Sequence, residues 1–348
     1  MTSGRTRIMS LVIVLLAASL IATAIIEPKI AAAGWLIGLI FWAQILVGSL
    51  TLVMIHRLTG GRWGETIAPV VEPATAAVPV LVLLAIPLFV AIPVLYPWFA
   101  HPPALEPDVL SFYLNRPAFV LRSAVALGGW SALSLLLPRM TGPRGQLLAA
   151  FGLVFHALVI SGVSIDWVLS LEAPFTSSSF GASVAISCLV AALAWAALRA
   201  PMATDDPGVG DLGGLLLATV LGLTYIDFMA VLVIWYGDLP REETWFVTRE
   251  PFPWATLAAT AFALVSVIPI LTLIQSRFRN ERTRLRSIGA VTLVGLAVYD
   301  AYLIAPPAGS AALAAALLAV VAIGLVVVLV MSSAARPSPS SQEAANAR

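Results

Sequence analysis

Four ionisable side chains interrupt runs that are otherwise apolar: Arg122, Asp166, Asp227 and Asp300. Arg122 lies six residues inside Arg116, Asp166 six before Glu172 and Asp300 six before Pro306. At 1.5 Å per residue, each is about 9 Å below a helix end. Asp227 is eleven residues before Asp238, about 16 Å deep by the same rise. An isolated charge at such depth costs roughly 2–3 kcal/mol on insertion scales, so these groups must pair, face water or do chemistry. Their shared depth predicts that Arg122 neutralises at least one aspartate across a bundle interior. The chemistry open to such acids is proton handling. Oxidation of a quinol releases two protons and needs an acceptor such as a buried carboxylate or histidine. Tyr225, Trp167, Trp235 and Tyr299 stand near the acids and suit a ring-shaped ligand. The plainer alternative is an ion pair that only holds helices together.

Two further groups could extend a proton path. His156 precedes Asp166 by ten residues, which puts both within roughly 80° on one helix. A lone histidine among apolar neighbours more commonly bonds a serine or a carbonyl. Glu65 and Glu72 straddle the start of an apolar span, with Glu72 the one that would enter it. Candidates for docking an outside partner are Phe112 to Asn115 and the stretch from Asp238 to Phe246, with Glu172, Trp235, Asp238, Glu242, Glu243 and Trp245 as the contact residues. Trp35, Trp42, Trp98, Trp235 and Trp245, near span ends, fit interface aromatics.

The elements that must position these groups are membrane helices. The 348 residues are 60% hydrophobic and 11% charged, against about a quarter charged in a soluble domain. Apolar blocks of about 20 residues match the bilayer. They are centred near Ile40, Leu84, Leu127, Val159, Ala191, Val220, Ala263, Leu293 and Leu318, after a first block from Ile8 to Ile26. That first block is either a signal peptide cleaved near Ala31–Ala33 or a retained helix. Its length and the closeness of the next span favour retention. The fold class is therefore an all-α polytopic membrane protein of about ten transmembrane helices. Residues 1–331 form one domain, and 332–348, rich in Ser, Ala and Pro, a disordered tail.

Arginine sets the orientation. Arg57, Arg62, Arg139, Arg144, Arg199 and the cluster Arg277, Arg279, Arg282, Arg284 and Arg286 fall in alternate loops, on the same side as Arg5, Arg7 and Arg336. Both termini should be cytoplasmic. A faint repeat links Arg116-Pro117-Ala118-Phe119 with Arg249-Glu250-Pro251-Phe252, and Asp166 before Pro174 with Asp300 before Pro306. The offset keeps the direction of insertion, so the repeat is parallel. It implies two four-helix bundles, about 34–172 and about 178–306, flanked by two peripheral helices.

Cys188 is the single cysteine, and the histidines are His56, His101 and His156. This excludes an intrachain disulfide and a cysteine-held iron–sulfur cluster built by this chain alone. Haems with paired histidine ligands would need more histidines inside the membrane than His156. No metal site and no cofactor are expected in this chain. A net charge of +1, with no basic–aromatic pattern, does not point to nucleic acid.

Three stretches carry a family resemblance: Ser164 to Gly181, Tyr225 to Trp245 (YIDFMAVLVIWYGDLPREETW) and Leu58 to Glu72. The chain resembles NrfD-like membrane subunits of the polysulfide reductase family. It is most similar to the shorter NrfD-like subunit of the quinol:cytochrome c oxidoreductase called alternative complex III, over roughly residues 30–305. The resemblance implies a respiratory electron-transport subunit in the bacterial inner (cytoplasmic) membrane. Its partners would be a sister NrfD-like subunit and periplasmic multihaem cytochrome c and iron–sulfur subunits. Haem c and iron–sulfur clusters would belong to those partners. For the membrane part it implies that the longer sister subunit is the better candidate for the quinol site, while the shorter one supplies structure and a route for protons, with a proton-conducting or quinol-proximal acidic site. Where the family pattern after Phe228 has a small polar residue and Gln, this chain has Met229 and Ala230, and it carries Asp227 and Asp238 where neutral residues are usual. Two other classes fit the residues: a secondary transporter with a buried acidic site, and a stand-alone assembly or anchor protein.

Overall fold

The computed structural model describes Ser19 and residues 22–100, 107–173, 175–201 and 208–334. The described residues are helical with no strand. The first apolar block lies mostly outside them, as does the proposed tail. The long helices are α1 (Pro28–Thr59), α2 (Arg62–Ala76), α3 (Val80–Leu95), α4 (Arg116–Leu136), α5 (Gly142–Trp167), α6 (Phe180–Arg199), α7 (Gly208–Gly237), the short α8 (Pro240–Val247), α9 (Trp254–Leu273), α10 (Arg282–Ile304) and α11 (Ala312–Ala334). Eight are long and apolar enough to cross a membrane. The pair α2–α3, bent by 49°, makes up to nine. The chain is thus a multi-pass integral membrane protein by helix length and hydropathy, and every span centre from Ile40 to Leu318 falls in one of these segments.

The span expected around Leu84 is broken rather than straight. Pro69, Pro73 and Pro79 each remove a helical N–H near the break, and the chain turns through Ala77-Val78-Pro79. A related adjustment occurs in α9, where residues Ala263–Val267 widen into a π-turn just before Pro269. Proline cannot donate to the carbonyl one turn back, and the wider turn absorbs that mismatch.

α1 is the axis of the molecule. It is the most enclosed of the spans and contacts α2, α3, α5, α6, α10 and α11. In lipid such contacts depend on close packing of small residues rather than on hydrophobic exclusion. Gly34 and Gly38 face Ala315 and Ala319 of α11, so close that a Cβ on Gly34 would lie 2.5 Å from the Ala315 Cβ. Gly48 meets α6 even more tightly, since a Cβ there would lie 1.9 Å from the Cys188 carbonyl oxygen. Around this axis α1 packs on α3 and α5, and α4 on α5. Likewise α6 packs on α7 and α10, and α9 on α10. Between the two groups α1 meets α6, α5 meets α6 and α10 meets α1.

Tryptophans expected at the interface are partly used as ties. Trp42 is buried and donates to the Val320 carbonyl at 2.8 Å, and Trp98 is buried and donates to Ser170 Oγ at 3.1 Å. Trp35 donates to the Leu84 carbonyl at 2.8 Å. Indole N–H groups inside a bundle need such acceptors, which explains the departure from a lipid-facing position.

Candidate functional site

The first acid to be placed is Asp166, near the end of α5. It is fully buried, and Arg122 of α4 donates to both its oxygens, Nε to Oδ2 and Nη2 to Oδ1, each at 2.8 Å. Arg122 Nη2 also donates to the Tyr113 carbonyl at 2.8 Å, and the guanidinium lies 3.9 Å from the Tyr113 ring centroid. Burial, and then the nearby Asp166 carboxylate, push the Tyr113 hydroxyl up to about 12, so it stays neutral beside the pair. The neighbours complete a saturated network. Trp167 donates to Ser123 Oγ at 2.9 Å, Tyr96 to the Trp167 carbonyl at 3.0 Å, and Ser170 to the Asp166 carbonyl at 2.6 Å. Part of the Phe112–Asn115 stretch belongs to this brace, while Phe112 itself is exposed. Besides Tyr113, the Asn115 side chain caps α4 by accepting from the Ala118 N–H at 2.9 Å.

Asp227 of α7 sits elsewhere. Ser183 of α6 donates to its Oδ1 at 2.6 Å, and Tyr299 of α10 is its second polar neighbour. This polar corner opens into a cavity of about 430 Å³. Its walls come from the outer part of α7 (Leu223, Phe228, Val231, Ile234), from α9 (Ala258, Phe262, Val265) and from Tyr302 and Leu303 of α10. Thr224 donates to Ser266 Oγ at 2.8 Å across the same space, at the π-turn of α9. Such turns recur beside functional sites. One mouth of the cavity is framed by Glu172, Phe175, Trp245 and Phe246.

A buried arginine holds these lining residues from behind. Arg249 pairs with Glu172 through both Nη atoms, donates to the Trp245 carbonyl at 3.1 Å and the Leu303 carbonyl at 3.3 Å, and lies 3.6 Å over the Trp245 ring. Phe175 stacks on Trp245 with centroids 4.9 Å apart. The sequence marks Arg249 only as part of a repeat and does not show this role. The signal was its match to Arg116 at the start of an equivalent helix.

Asp300 of α10 occupies a third environment. It is buried, and its Oδ1 accepts from Gln44 Nε2 of α1 at 2.9 Å. Gln44 was also missed, although it is the lone strongly polar side chain between Trp35 and Val47. An amide in that setting calls for a partner.

The expectation of one acidic cluster at one level is therefore corrected. One guanidinium serves one aspartate, and the other two acids take neutral partners in separate environments. Tyr299, with Val168, Phe180 and Leu303, borders both the Asp227 cavity and the space beside Asp300. The remaining candidates scatter. His156 is buried next to Trp130, ring centroids 6.0 Å apart, with Nδ1 unpartnered. It borders neither the Asp227 cavity nor the Asp300 space, and the expected serine or carbonyl does not meet Nδ1. Glu72 is exposed on the outer face of α2, not inside a path. Tyr225 points outward from α7, whose neighbours Trp235 and Tyr236 are exposed as well. Asp238 and Glu243 are exposed, Glu242 and Trp245 half-buried. The outward turn has a physical reason: α7 is apolar all round, so no amphipathic face fixed its rotation in advance. Among the described residues no group of three His, Cys, Asp or Glu side chains could hold a metal ion. No protein-family model matches the chain, and no curated protein matches it either.

Proposed function

We propose that this chain is a non-redox membrane subunit of a quinol-oxidising respiratory electron-transfer complex, of the NrfD-like kind that its motifs resemble. It sits in the bacterial inner membrane with both termini cytoplasmic. The observation that carries the proposal is the cavity beside Asp227. At about 430 Å³ it is of ligand size, apolar on most walls, with Asp227, Ser183 and Tyr299 in one polar corner. Pockets for ring-headed amphiphiles have this make-up: an apolar body with a few converging polar groups. A carboxylate held by a serine and facing a tyrosine can accept a proton from a quinol hydroxyl. The matching contacts within α1–α5 and α6–α10, with α1 meeting α6 at the centre, support the parallel four-helix repeat. Haem c and iron–sulfur clusters belong to periplasmic partner subunits, and a sister NrfD-like subunit completes the membrane part.

The test is purification in mild detergent with haem spectroscopy. Co-purifying cytochrome c subunits support the proposal. A haem-free monomer that carries solute or protons across vesicles would replace it with the transporter reading.

A further inference from the structure

A small space of about 30 Å³ lies where the two groups of helices meet. Four buried polar atoms on its lining side chains have no hydrogen-bond partner among the described residues: Gln44 Oε1 on α1, Trp130 Nε1 on α4, Ser187 Oγ on α6 and Asp300 Oδ2 on α10. All four residues are more than nine-tenths buried. We infer that this space is a binding site for an internal water molecule that ties the two halves of the bundle together.

The stoichiometry carries the inference. Gln44 Nε2 already donates to Asp300 Oδ1 at 2.9 Å, which leaves Gln44 Oε1 and Asp300 Oδ2 as bare acceptors. Trp130 Nε1 can only donate, and the Ser187 hydroxyl can donate. Two acceptors and two donors are the complement of one water, which donates twice and accepts twice. A buried water typically makes about three such bonds, and one needs roughly 10–15 Å³ of probe space. By that measure the space of about 30 Å³ admits one water beside these atoms and has room for a second. Leaving the four atoms unmet inside a membrane bundle would carry the desolvation penalty of each with nothing to offset it.

A monovalent or divalent cation is the rival occupant, since a carboxylate is present. Two features oppose it. The site offers three oxygens, Gln44 Oε1, Asp300 Oδ2 and Ser187 Oγ, where a hard cation takes about six. The Trp130 N–H also presents a positive edge to the same space. The water links α1 and α4 on one side with α6 and α10 on the other, so it acts as a joint between the halves, whatever the Asp227 cavity binds.

The experiment uses the full chain in lipid nanodiscs. A density map that resolves ordered solvent should show one peak within hydrogen-bonding reach of Asp300 Oδ2 and Gln44 Oε1. No peak there, or a peak ringed by oxygens at metal–ligand distances, overturns the inference. Thermal melting in sodium chloride and in choline chloride at equal ionic strength should give the same midpoint. A midpoint that rises with sodium points to a cation and also overturns it. Two variants add a third reading. Ser187→Ala removes one donor and keeps the water, so the midpoint falls slightly. Ser187→Val fills the space and leaves Asp300 and Gln44 unmet, so it falls several-fold further. Equal falls would sink the proposal, and if Ser187→Val does not fold, the wild-type map and salt series still decide.

Discussion

Arg249 and Glu172 close the two halves of the bundle onto each other. The arginine side chain is 1% exposed and the glutamate 25%. Glu172 ends the first half, after α5, whereas Arg249 precedes α9 and reaches the Leu303 carbonyl at the end of α10. The pair thus fixes the relative position of three helix ends, and Glu172 lines one mouth of the Asp227 cavity. The exposed acid keeps some hydration, while the arginine depends on its partners.

The first expectation follows from that asymmetry. Glu172→Gln keeps an acceptor for Arg249 and should lower stability modestly. Glu172→Leu strands a buried guanidinium and should cost roughly 3–5 kcal/mol, the range for breaking a buried pair. Thermal unfolding in detergent measures both. Equal losses would show that the charge pairing is not what matters.

Arg122 and Asp166 give the opposite asymmetry. Here the acid is fully buried and the arginine 27% exposed. Asp166→Asn leaves Arg122 free to reach outward along its long stem, so the loss should stay near 1–3 kcal/mol. Arg122→Leu leaves a bare carboxylate in the interior and should cost more, roughly 3–5 kcal/mol. Combining Arg122→Leu with Asp166→Asn should be milder than the sum of the two singles. An additive double-mutant cycle would contradict direct pairing.

How far these groups could be read from sequence depended on the kind of signal. The spans were legible because hydrocarbon thickness sets a length that Ile40, Leu127 or Leu293 mark by their surroundings. The Arg122–Asp166 pair was legible because both positions could be counted from a helix end. Direction around a helix was not, which is why Tyr225 turned out to face outward. Neither α5 nor α7 has a polar face to orient it, so rotation is decided by tertiary packing, such as Gly152 of α5 against Met54 of α1. Neutral partners were invisible for a related reason. Ser183 is one of several serines near Gly181, and nothing local distinguishes the one that meets Asp227.

Close glycine contacts yield a further expectation. Gly48→Ala would push a Cβ into the Cys188 carbonyl, between the two central helices. Main-chain atoms on both sides cannot yield cheaply, so α1 and α6 should separate. The expected outcome is loss of the monodisperse peak in size-exclusion chromatography. Gly128→Ala is the control, since nothing lies within 4 Å of its added Cβ. It should be neutral or gain up to about 1 kcal/mol from helix propensity. Similar behaviour of the two variants would show that the α1–α6 contact is not set by glycine.

The proposed role of the Asp227 cavity makes the last prediction. If Asp227 accepts a quinol proton, Asp227→Asn should reduce quinol-dependent cytochrome c reduction by about 10²-fold in the purified complex, the usual scale of a lost general base. Binding of the quinol should survive, because Ser183 and Tyr299 still offer polar contacts, so the loss should appear in kcat more than in KM. Ala230 lines the cavity, and Ala230→Trp should fill it and raise KM while leaving folding intact. Tyr225→Phe alters a side chain that faces away from the cavity and should change neither constant. A full-rate Asp227→Asn enzyme, or a Tyr225→Phe variant as damaged as Ala230→Trp, would move the quinol site out of this chain and leave it a purely structural partner.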